Sequence, residues 1–362
     1  MTRRATALPA DYHPSLLHGS LQLPSVNVRD YSLELRERGG FLGDQVSRKA
    51  FSAMLDDWRT LFREMDDGED PFGKKPTPEL GKARLDRLLD TPTPAGAALD
   101  AAIEDYAVQL AHVVRRFLRH PSWRGVERIV VGGGFQQSKV GHRAVRRAAR
   151  LLADQGLKIK LRTLHHHSDE GGLVGWVHLA PPELLENYNA LLAVDIGGTN
   201  VRCGIVRTRQ HKAANLSLAD VIGRSKWGHA DDDEATRREH LVHGIAEMLE
   251  TLIRKAKKKK LVLAPFVGVA CPGTILEDGS LANGTQNLPG NWEGAGFHLP
   301  QRLCERLPRI DRHETQVRMH NDAVVQGLSE LPHMRDVKRW AVLTVGTGLG
   351  NASYVNHKPR KS

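Results

Sequence analysis

Two glycine-rich segments of the sequence have the composition of phosphate-binding turns. Asp195 is followed by Ile-Gly-Gly-Thr-Asn and Thr344 by Val-Gly-Thr-Gly-Leu-Gly, and both segments lie between apolar runs typical of strands. Glycines in such turns let backbone N–H groups approach phosphate oxygens closely, because no Cβ stands in the way. A single turn of this kind is also explained as a plain hairpin. Two of them, each with a threonine beside its glycines, indicate a phosphate-bearing ligand.

Other nucleotide-binding motifs do not fit these glycines. The sequence has no GxxxxGK[ST], which excludes the P-loop, and residues 346–350 lack the GxGxxG spacing of dinucleotide-binding folds. A third glycine group, Gly132, Gly133 and Gly134, follows the strand-like segment ERIVV, residues 127–131. Taken alone, that triplet predicts a turn.

A carboxylate at the start of a predicted helix is a further candidate for chemistry. The segment VRMHNDAVVQGLSE ends a short strand at Asn321 and continues as a helix from Asp322. Asparagine and aspartate favour helix starts, so a helix N-cap is one interpretation of Asp322. A helix start is also a good place to fix a carboxylate, and the two roles are compatible.

Hydrophobic periodicity predicts the elements that position these residues. Helical patterns cover residues 46–65, 79–91, 95–119, 139–155 and 235–258, and a further apolar helix starts near Asp169. Strand patterns cover residues 25–37, 127–134, 157–164, 191–208, 220–229, 261–271, 317–323 and 339–356. Residues 1–24 have no regular pattern. Both glycine-rich turns are therefore expected to join two strands.

Composition limits the class of protein. The 362 residues are enough for two lobes with separate cores, and 40% hydrophobic with 26% charged residues is ordinary for a globular chain. No apolar run approaches the roughly 18–20 residues that span a bilayer, and the first 20 residues lack a secretory signal's apolar region. The three cysteines are far apart and form no CxxC pair, which suits a reducing cytosol. We therefore expect a cytoplasmic protein with no membrane partner.

The net charge of +10 raises the question of a nucleic acid partner. The densest basic run, residues 254–260 (RKAKKKK), closes an amphipathic helical pattern. Lysines at a helix C-terminus are favoured by the helix dipole and remain in water. We interpret the run as a solvated helix end and expect no nucleic acid partner.

Four motifs together resemble a known family. DIGGTNVR resembles the first phosphate motif of the hexokinase/actin-like superfamily, and residues 267–292 (VGVACPGTILEDGSLANGTQNLPGNW) are similar to a segment of ROK (repressor, ORF, kinase) proteins. HNDA resembles the family's catalytic aspartate motif, and LTVGTGLG its second phosphate motif. Order and spacing are family-like from residue 190 to 355. The resemblance implies an ATP- and Mg²⁺-dependent kinase that phosphorylates a hexose, with glucose as the family's habitual substrate.

The resemblance also implies a role for each matching residue. Asp322 would be the general base that takes the proton from the sugar hydroxyl, and Asp195 would order Mg²⁺ directly or through water. Contacts to the phosphates would come from Gly197, Gly198, Thr199, Gly346, Thr347 and Gly348. The adenosine would lie against Gly132, Gly133 and Gly134. The sugar would contact Asn321 and Asn287, with Pro272 and Gly273 shaping the wall.

The order of the motifs differs from that of the family. The family's second lobe should follow its second phosphate motif, yet ERIVVGGGFQQSKVG and DEGGLVGWVHLAP, which resemble that lobe, lie upstream of Asp195. The resemblance therefore implies an α/β fold of two ribonuclease-H-like (actin/hexokinase-like) lobes around a central cleft, in circularly permuted order. Residues 1–183 would form the larger lobe and 184–338 the smaller one, and 339–362 would return to the larger lobe. This arrangement requires both ends of the chain to lie close together. A rival account has two fused halves that complete each other across a dimer, and a homodimer is itself a family expectation.

Two family motifs have no counterpart here. The Glu-x-Gly-His sugar motif and the Cys-rich zinc motif are both missing. The corresponding stretch should lie near 25–60, where GGFLGDQVSRKAF offers Asp44 but no Glu/His pair. Residues 165–167 are three histidines, but neighbours in a strand point to alternate faces, so we expect no shared metal ion. Residues 168–170 (Ser-Asp-Glu) predict a helix start instead.

Three alternative functions remain open at this point. A sugar-sensing repressor would need an N-terminal winged helix-turn-helix, for which residues 1–24 are too short and irregular. A non-catalytic sugar- or nucleotide-binding protein would explain the missing Glu-x-Gly-His motif, although Asp195 and Asp322 are present. A kinase that uses polyphosphate, or that acts on a non-hexose polyol, is the third.

Overall fold

The computed structural model describes residues 17–37, 40–65, 68–294 and 296–357. Residues 1–16, part of the stretch for which no regular pattern is predicted, lie outside the described parts. The last five residues of the expected 339–362 segment also lie outside them. Helices in this part of the chain are α1 Arg48–Met65, α2 Lys82–Leu88, α3 Pro94–Arg119, α4 Lys139–Asp154, α5 Ser168–Val174, α6 Pro182–Asn187, α7 Arg238–Lys258, α8 Leu299–Arg306 and α9 Asp322–Leu328. Strands are β1 Val26–Tyr31, β2 Arg36–Glu37, β3 Gly40–Phe41, β4 Arg128–Gly132, β5 Lys160–Thr163, β6 Ala190–Ile196, β7 Val201–Arg207, β8 Asp220–Trp227, β9 Leu263–Cys271, β10 Thr274–Ile275, β11 Leu281–Asn283, β12 Arg309–Ile310, β13 His313–Glu314, β14 Gln316–Asn321, β15 Arg339–Val345 and β16 Leu349–Asn356.

Two five-stranded sheets organise the molecule. The first sheet has the order β14-β9-β6-β7-β8, with β6, β7 and β8 antiparallel and β9 and β14 parallel to β6. The second sheet has the order β1-β16-β15-β4-β5, in which β15, β16 and β1 are antiparallel and β4 and β5 continue parallel to β15. The fold is therefore mixed α/β, as predicted.

The second sheet is built from both ends of the chain. Val26 of β1 lies opposite Asn356 of β16, and the backbone N–H of His357 donates to the Ser25 carbonyl at 3.2 Å. The predicted closeness of the N- and C-terminal segments is confirmed by this pairing. One chain thus supplies all five strands of each sheet.

Two short helices lie between the sheets. Val324 and Val325 of α9, together with Leu173 of α5, are buried in one apolar cluster. The same cluster contains residues of both sheets, such as Val342 of the second and Phe266 of the first. Because α9 begins directly after β14 and then packs on β15 and β16, it carries the residues of its first turn to a place between the two sheets.

Most predicted elements are present, and two of them are shorter than predicted beside residues with a positive φ. The expected strand 25–37 is interrupted because Ser32 adopts a positive φ of 51°. The expected helix 79–91 is shortened to α2, and Asp90 beyond it again has a positive φ, of 62°. The basic run 254–260 closes α7 as expected.

The assumption that the three histidines belong to a strand is wrong. β5 ends at Thr163, so residues 165–167 lie in the connection to α5. The backbone N–H of His165 donates to Glu330, and its ring contacts the same carboxylate at 2.5 Å and stacks on His333 at 3.8 Å between centroids. His167 accepts a hydrogen bond from the Asp169 N–H and caps the predicted helix start at Ser168. These contacts tie the connection to the end of α9.

Candidate functional site

The carboxyl ends of three neighbouring parallel strands bring two carboxylates together. In the first sheet Asp195 near the end of β6 pairs with Ala270 of β9, and Cys271 pairs with Asn321, the last residue of β14. Asp322 follows as the first residue of α9. Ligand sites of open α/β sheets form at this carboxyl edge. The register therefore places Asp195 and Asp322 at the edge where such a site is expected.

Asp322 is an unusually basic carboxylate. Burial, followed by the negative charge of Asp195, raises its pKa to about 6, and the hydrogen bond from the Ala323 N–H to Oδ1 at 2.8 Å opposes this only in part. A carboxylate with a pKa near neutrality is a stronger base than an exposed aspartate, yet it is still mostly ionised at pH 7.5. Asp322 is thus electrostatically suited to accept a proton.

Asp195 belongs to a chain of alternating charges. Arg202 lies directly opposite it across the β6–β7 hairpin, with its Nη1 3.3 Å from Asp195 Oδ2 and its Nε 2.5 Å from Asp169 Oδ1. Lys226 completes the chain with Nζ 3.2 Å from Asp169 Oδ2. Burial raises the pKa of Asp195 and the charge of Asp169 adds to this, while Arg202 opposes both. Arg202 therefore partly offsets the effect of burial on the Asp195 carboxylate.

The first glycine-rich turn is closed by its own backbone and by a histidine. The Gly197 N–H donates to the Asn200 carbonyl at 2.9 Å, and His229 Nε2 donates to the Gly197 carbonyl at 2.8 Å. A Cβ on Gly198 would lie 2.9 Å from Cβ of Asn287. The first glycine-rich turn and the expected sugar-binding loop are thus brought together.

The second glycine-rich turn lies beside the glycine triplet. The Gly346 N–H donates to the Gly348 carbonyl at 2.9 Å, so the turn is closed locally. Gly133 has a φ of +89°, and a Cβ there would clash with the carbonyl of Val345. Only glycine permits this approach, which joins the end of β4 to the turn that follows β15.

The second turn is also linked to the start of α9. A Cβ on Gly350 would lie 3.3 Å from Cβ of Ala323, the neighbour of Asp322. Among the described residues, no hydrogen bond joins the 197–199 turn directly to the 346–348 turn. The first turn closely follows Asp195, and the strand after the second turn lies against Ala323, the neighbour of Asp322. The two carboxylates and the start of α9 therefore connect the turns.

The expected sugar-binding asparagines differ in whether their side chains are free to contact a ligand. The Asn321 side chain is buried: Oδ1 accepts from the Ala323 and Val324 N–H groups, and Nδ2 donates to Ser32 and to the Gly273 carbonyl, each at 3.0 Å. Asn321, and not Asp322, is therefore the N-cap of α9, because a cap residue precedes the first helical residue. Asn287 is exposed, Pro272 is half-buried, and Gly273 is buried with a φ of +93°.

Residues 191–361 match the family model described as ROK family. This part of the chain is similar to the ROK family. It contains both glycine-rich turns that flank Asp322. No curated protein matches the chain.

Solved structures similar to the chain include a ROK hexokinase from Thermus thermophilus, with 20% identity, a TM-score of 0.34 and coverage of 47% of this chain and 48% of that chain. Another is a ROK family glucokinase from Streptomyces griseus in complex with glucose and AMPPNP, with 18% identity, a TM-score of 0.32 and coverage of 48% and 46%. A Ppx/GppA family member from Aquifex aeolicus has 13% identity, a TM-score of 0.32 and coverage of 67% and 83%. The chain spans about half the length of the first two.

Magnesium is compatible with the donor groups of residues 191–361. Within the described residues no cluster of three or more His, Cys, Asp or Glu side chains could hold a metal ion by itself. Mg²⁺ is commonly bound by one or two carboxylates together with substrate phosphates and water. Asp195 meets that requirement, because its carboxylate lies beside Asp322 and is only partly neutralised by Arg202.

Arg202 and Asp169 were missed as site residues. The signal for Arg202 is present in the DIGGTNVR motif, since a hairpin that turns at residues 197–200 places Asp195 and Arg202 opposite each other. Asp169 had been interpreted only as part of a helix start. Its contact with β7 depends on how α5 packs, and no local pattern predicts that.

Two concavities have linings that include neither Asp195 nor Asp322. One, of about 350 Å³, is lined by residues such as His18, His298 and Arg318, and the other, of about 700 Å³, by Met54, His112 and their neighbours. Neither contains a residue of the expected site. Within the described chain, no helix is long and apolar enough to cross a membrane.

Proposed function

We propose that this protein is an ATP-dependent sugar kinase that transfers the γ-phosphate of ATP to a hydroxyl of a hexose. The observation that carries the proposal is the pair of half-buried carboxylates Asp322 and Asp195 at one sheet edge, in which Asp322 has a pKa raised to about 6. The similarity to the ROK family and the two glycine-rich turns support the same reading. Glucose remains the expected substrate from the family resemblance.

Asp322 would act on the acceptor hydroxyl. Its carboxylate takes the hydroxyl proton while the hydroxyl oxygen forms a bond to the γ-phosphorus, and the bond from that phosphorus to the β-phosphate bridging oxygen breaks to release ADP. A positioned base of this kind contributes typically about 10²–10⁴-fold to the rate. Asn321 would serve this step by capping α9, which fixes the position of Asp322.

Backbone groups and one metal-binding carboxylate would hold the donor. Phosphoryl transfer depends mainly on positioning and charge neutralisation, which backbone N–H groups of the two turns can supply. Residues 197–199 and 346–348 would contact the phosphates, and 132–134 the adenosine. Mg²⁺, when bound, neutralises charge that develops on the phosphates, and Asp195 would hold it. Asn287, Pro272 and Gly273 would border the sugar.

We also propose that the chain is a circular permutation of a two-lobed kinase fold. Each sheet has three antiparallel strands followed by two parallel ones, and the chain visits the first sheet as β6, β7, β8, β9, β14. The second sheet is visited in the equivalent order only if the chain is read from β15 and β16 to β1, β4 and β5. On this proposal residues 1–183 and 339–362 form one lobe and 184–338 the other, around a cleft.

ADP release measured against a panel of hexoses and polyols tests the proposed function. We expect one hexose to stimulate ADP release from ATP well above the sugar-free rate. Stimulation by a polyol alone, or by polyphosphate in place of ATP, would support the alternative kinases. Sugar binding with no stimulation by any acceptor would contradict the kinase and support a non-catalytic binding protein.

A further inference from the structure

Lys82 lies directly on the glycine triplet. It is the first residue of α2, and its Nζ donates a hydrogen bond of 2.6 Å to the Gly134 carbonyl. A second contact on the same face holds α2 there, because Asp86, one turn after Lys82, accepts a hydrogen bond from the Val140 N–H at the start of α4. A lysine is thus presented to the loop that the proposed function assigns to the donor nucleotide.

Other cations approach the same place from separate segments. The backbone N–H of Arg48, at the start of α1, donates to the Gly346 carbonyl at 3.1 Å, so Arg48 stands at the second glycine-rich turn. Burial lowers the pKa of Lys82, and the charges of Arg48 and Lys226 lower it further while Asp169 opposes them. Lys82, Arg48 and Lys226 therefore share one electrostatic environment around the two glycine groups.

The positive charge of this group is incompletely balanced by protein. Lys226 pairs with Asp169 at 3.2 Å, but neither Lys82 nor Arg48 forms an ion pair within the described residues. A neutral carbonyl is a weaker partner for an ammonium group than an anion, since charge-assisted hydrogen bonds are about twice as strong. An oligophosphate chain would supply the missing negative charge beside the glycine triplet and the second glycine-rich turn.

We propose that Lys82, assisted by Arg48, binds the phosphate chain of the phosphoryl donor. On binding, the Lys82 ammonium exchanges the Gly134 carbonyl for a phosphate oxygen. The assignment rests on the proposed function for the placement of the donor, and it adds a contact from α2 to the phosphate turns. The recognised chemistry is an oligophosphate anion, which a nucleoside triphosphate and an inorganic polyphosphate share.

Binding without sugar tests the assignment apart from catalysis. Titration calorimetry with Mg-ATP and with inorganic triphosphate would compare the wild type, Lys82→Met, Lys82→Arg and Arg48→Met. Lys257→Met is the matched control, because it removes one exposed lysine from the end of α7. We expect Lys82→Met to weaken the affinity for both ligands about tenfold or more, as loss of a charge-assisted hydrogen bond does. Lys82→Arg should recover most of it.

The outcomes separate this proposal from the kinase proposal. Affinity of Lys82→Met within twofold of Lys257→Met would overturn the assignment, even if a hexose stimulates ADP release. Loss of affinity in Lys82→Met with no acceptor stimulating ADP release would support the assignment and contradict the kinase. Where Lys82→Met weakens the binding of both ligands, tighter wild-type binding of ATP than of triphosphate identifies a nucleotide donor, and the reverse identifies an inorganic one. Equal thermal unfolding of all five proteins shows that the folds are intact.

Discussion

At the scale of single residues, Asp322 combines a functional advantage with a thermodynamic disadvantage. Burial and the neighbouring charge of Asp195 raise its pKa to about 6, which makes it a better base. The same shift means that the ionised carboxylate is less stable in the folded chain than in the unfolded one. Such opposition between stability and function is typical of active sites.

The raised pKa predicts the pH dependence of turnover. Asp322 accepts a proton only when ionised, so kcat/KM for the acceptor should rise with pH through an apparent pKa of about 6 and level off above it. Initial rates between pH 5 and 8.5, at saturating ATP, measure this. A rate that stays constant down to pH 5 would contradict the assigned base.

Removal of the buried charge should stabilise the fold. Because the folded pKa lies above the unfolded value, the folded state binds more protons between about pH 4 and 6, and stability falls as pH rises through that window. At pH 8 Asp322→Asn should therefore raise the free energy of unfolding by up to about 3 kcal/mol.

Denaturant unfolding at pH 8 and pH 4 measures this difference, and the gain should shrink at the lower pH. Asp233→Asn is the control, because Asp233 is exposed and its change should leave stability unaltered at both values. A lower stability of Asp322→Asn at pH 8 would show that the ionised carboxylate is not disfavoured by the fold.

At the scale of elements, close backbone packing joins the glycine triplet to the second turn. Gly133 has a positive φ and no room for a side chain beside Val345. Gly134 does not have a positive φ, and its hypothetical Cβ would meet only Lys82 Nζ, at 3.9 Å. Backbone conformation and lack of space thus require glycine at position 133, whereas neither requires it at position 134.

The two glycines should respond differently to alanine. Gly133→Ala should lower the free energy of unfolding by about 2 kcal/mol or more, because it introduces both backbone strain and a steric clash. Gly134→Ala, the matched control, should change it by less than about 1 kcal/mol. Thermal and denaturant unfolding of both variants decide the matter. Equal stability of the two would mean that β4 and β15 are not packed as described.

Local sequence patterns predicted the elements better than they predicted the contacts between them. Both strand–turn–strand units and the long helices α1, α3, α4 and α7 are present, because amphipathic periodicity and glycine turns are local properties. The interruption at Ser32 and the commitment of the Asn321 amide to Ser32 and Gly273 depend on chain segments far apart in sequence. Hydrophobic periodicity carries no information about such contacts. The sequence therefore could not predict that the Asn321 side chain is already hydrogen-bonded within the protein.

At the scale of the whole molecule, the two sheets repeat one strand arrangement in different chain order. The first is contiguous in sequence, whereas the second joins β15 and β16 to strands from the other end of the chain. The apolar cluster around α5 and α9 then holds the two sheets together. The resemblance led us to expect both ends of the chain in one part of the fold, and the pairing of β1 with β16 agrees with that expectation.

If the order arose by permutation, relocating the chain ends should be tolerated. A variant would start at Asn189, run through residue 362, continue from residue 1 and end at Tyr188, since the new ends lie outside the strands. We expect circular dichroism like that of the wild type and cooperative unfolding. New ends between Val267 and Gly268, inside the buried strand β9, provide the control and should abolish folding. Failure of both variants alike would contradict the permuted reading.

The most direct test of the proposed kinase is the effect of Asp322→Asn on hexose-stimulated ADP release, measured beside the affinity for the same hexose. The account predicts that stimulated turnover falls by about 10²–10⁴-fold while the dissociation constant of the sugar stays within a few-fold of that of the wild type. Turnover retained in Asp322→Asn would contradict it.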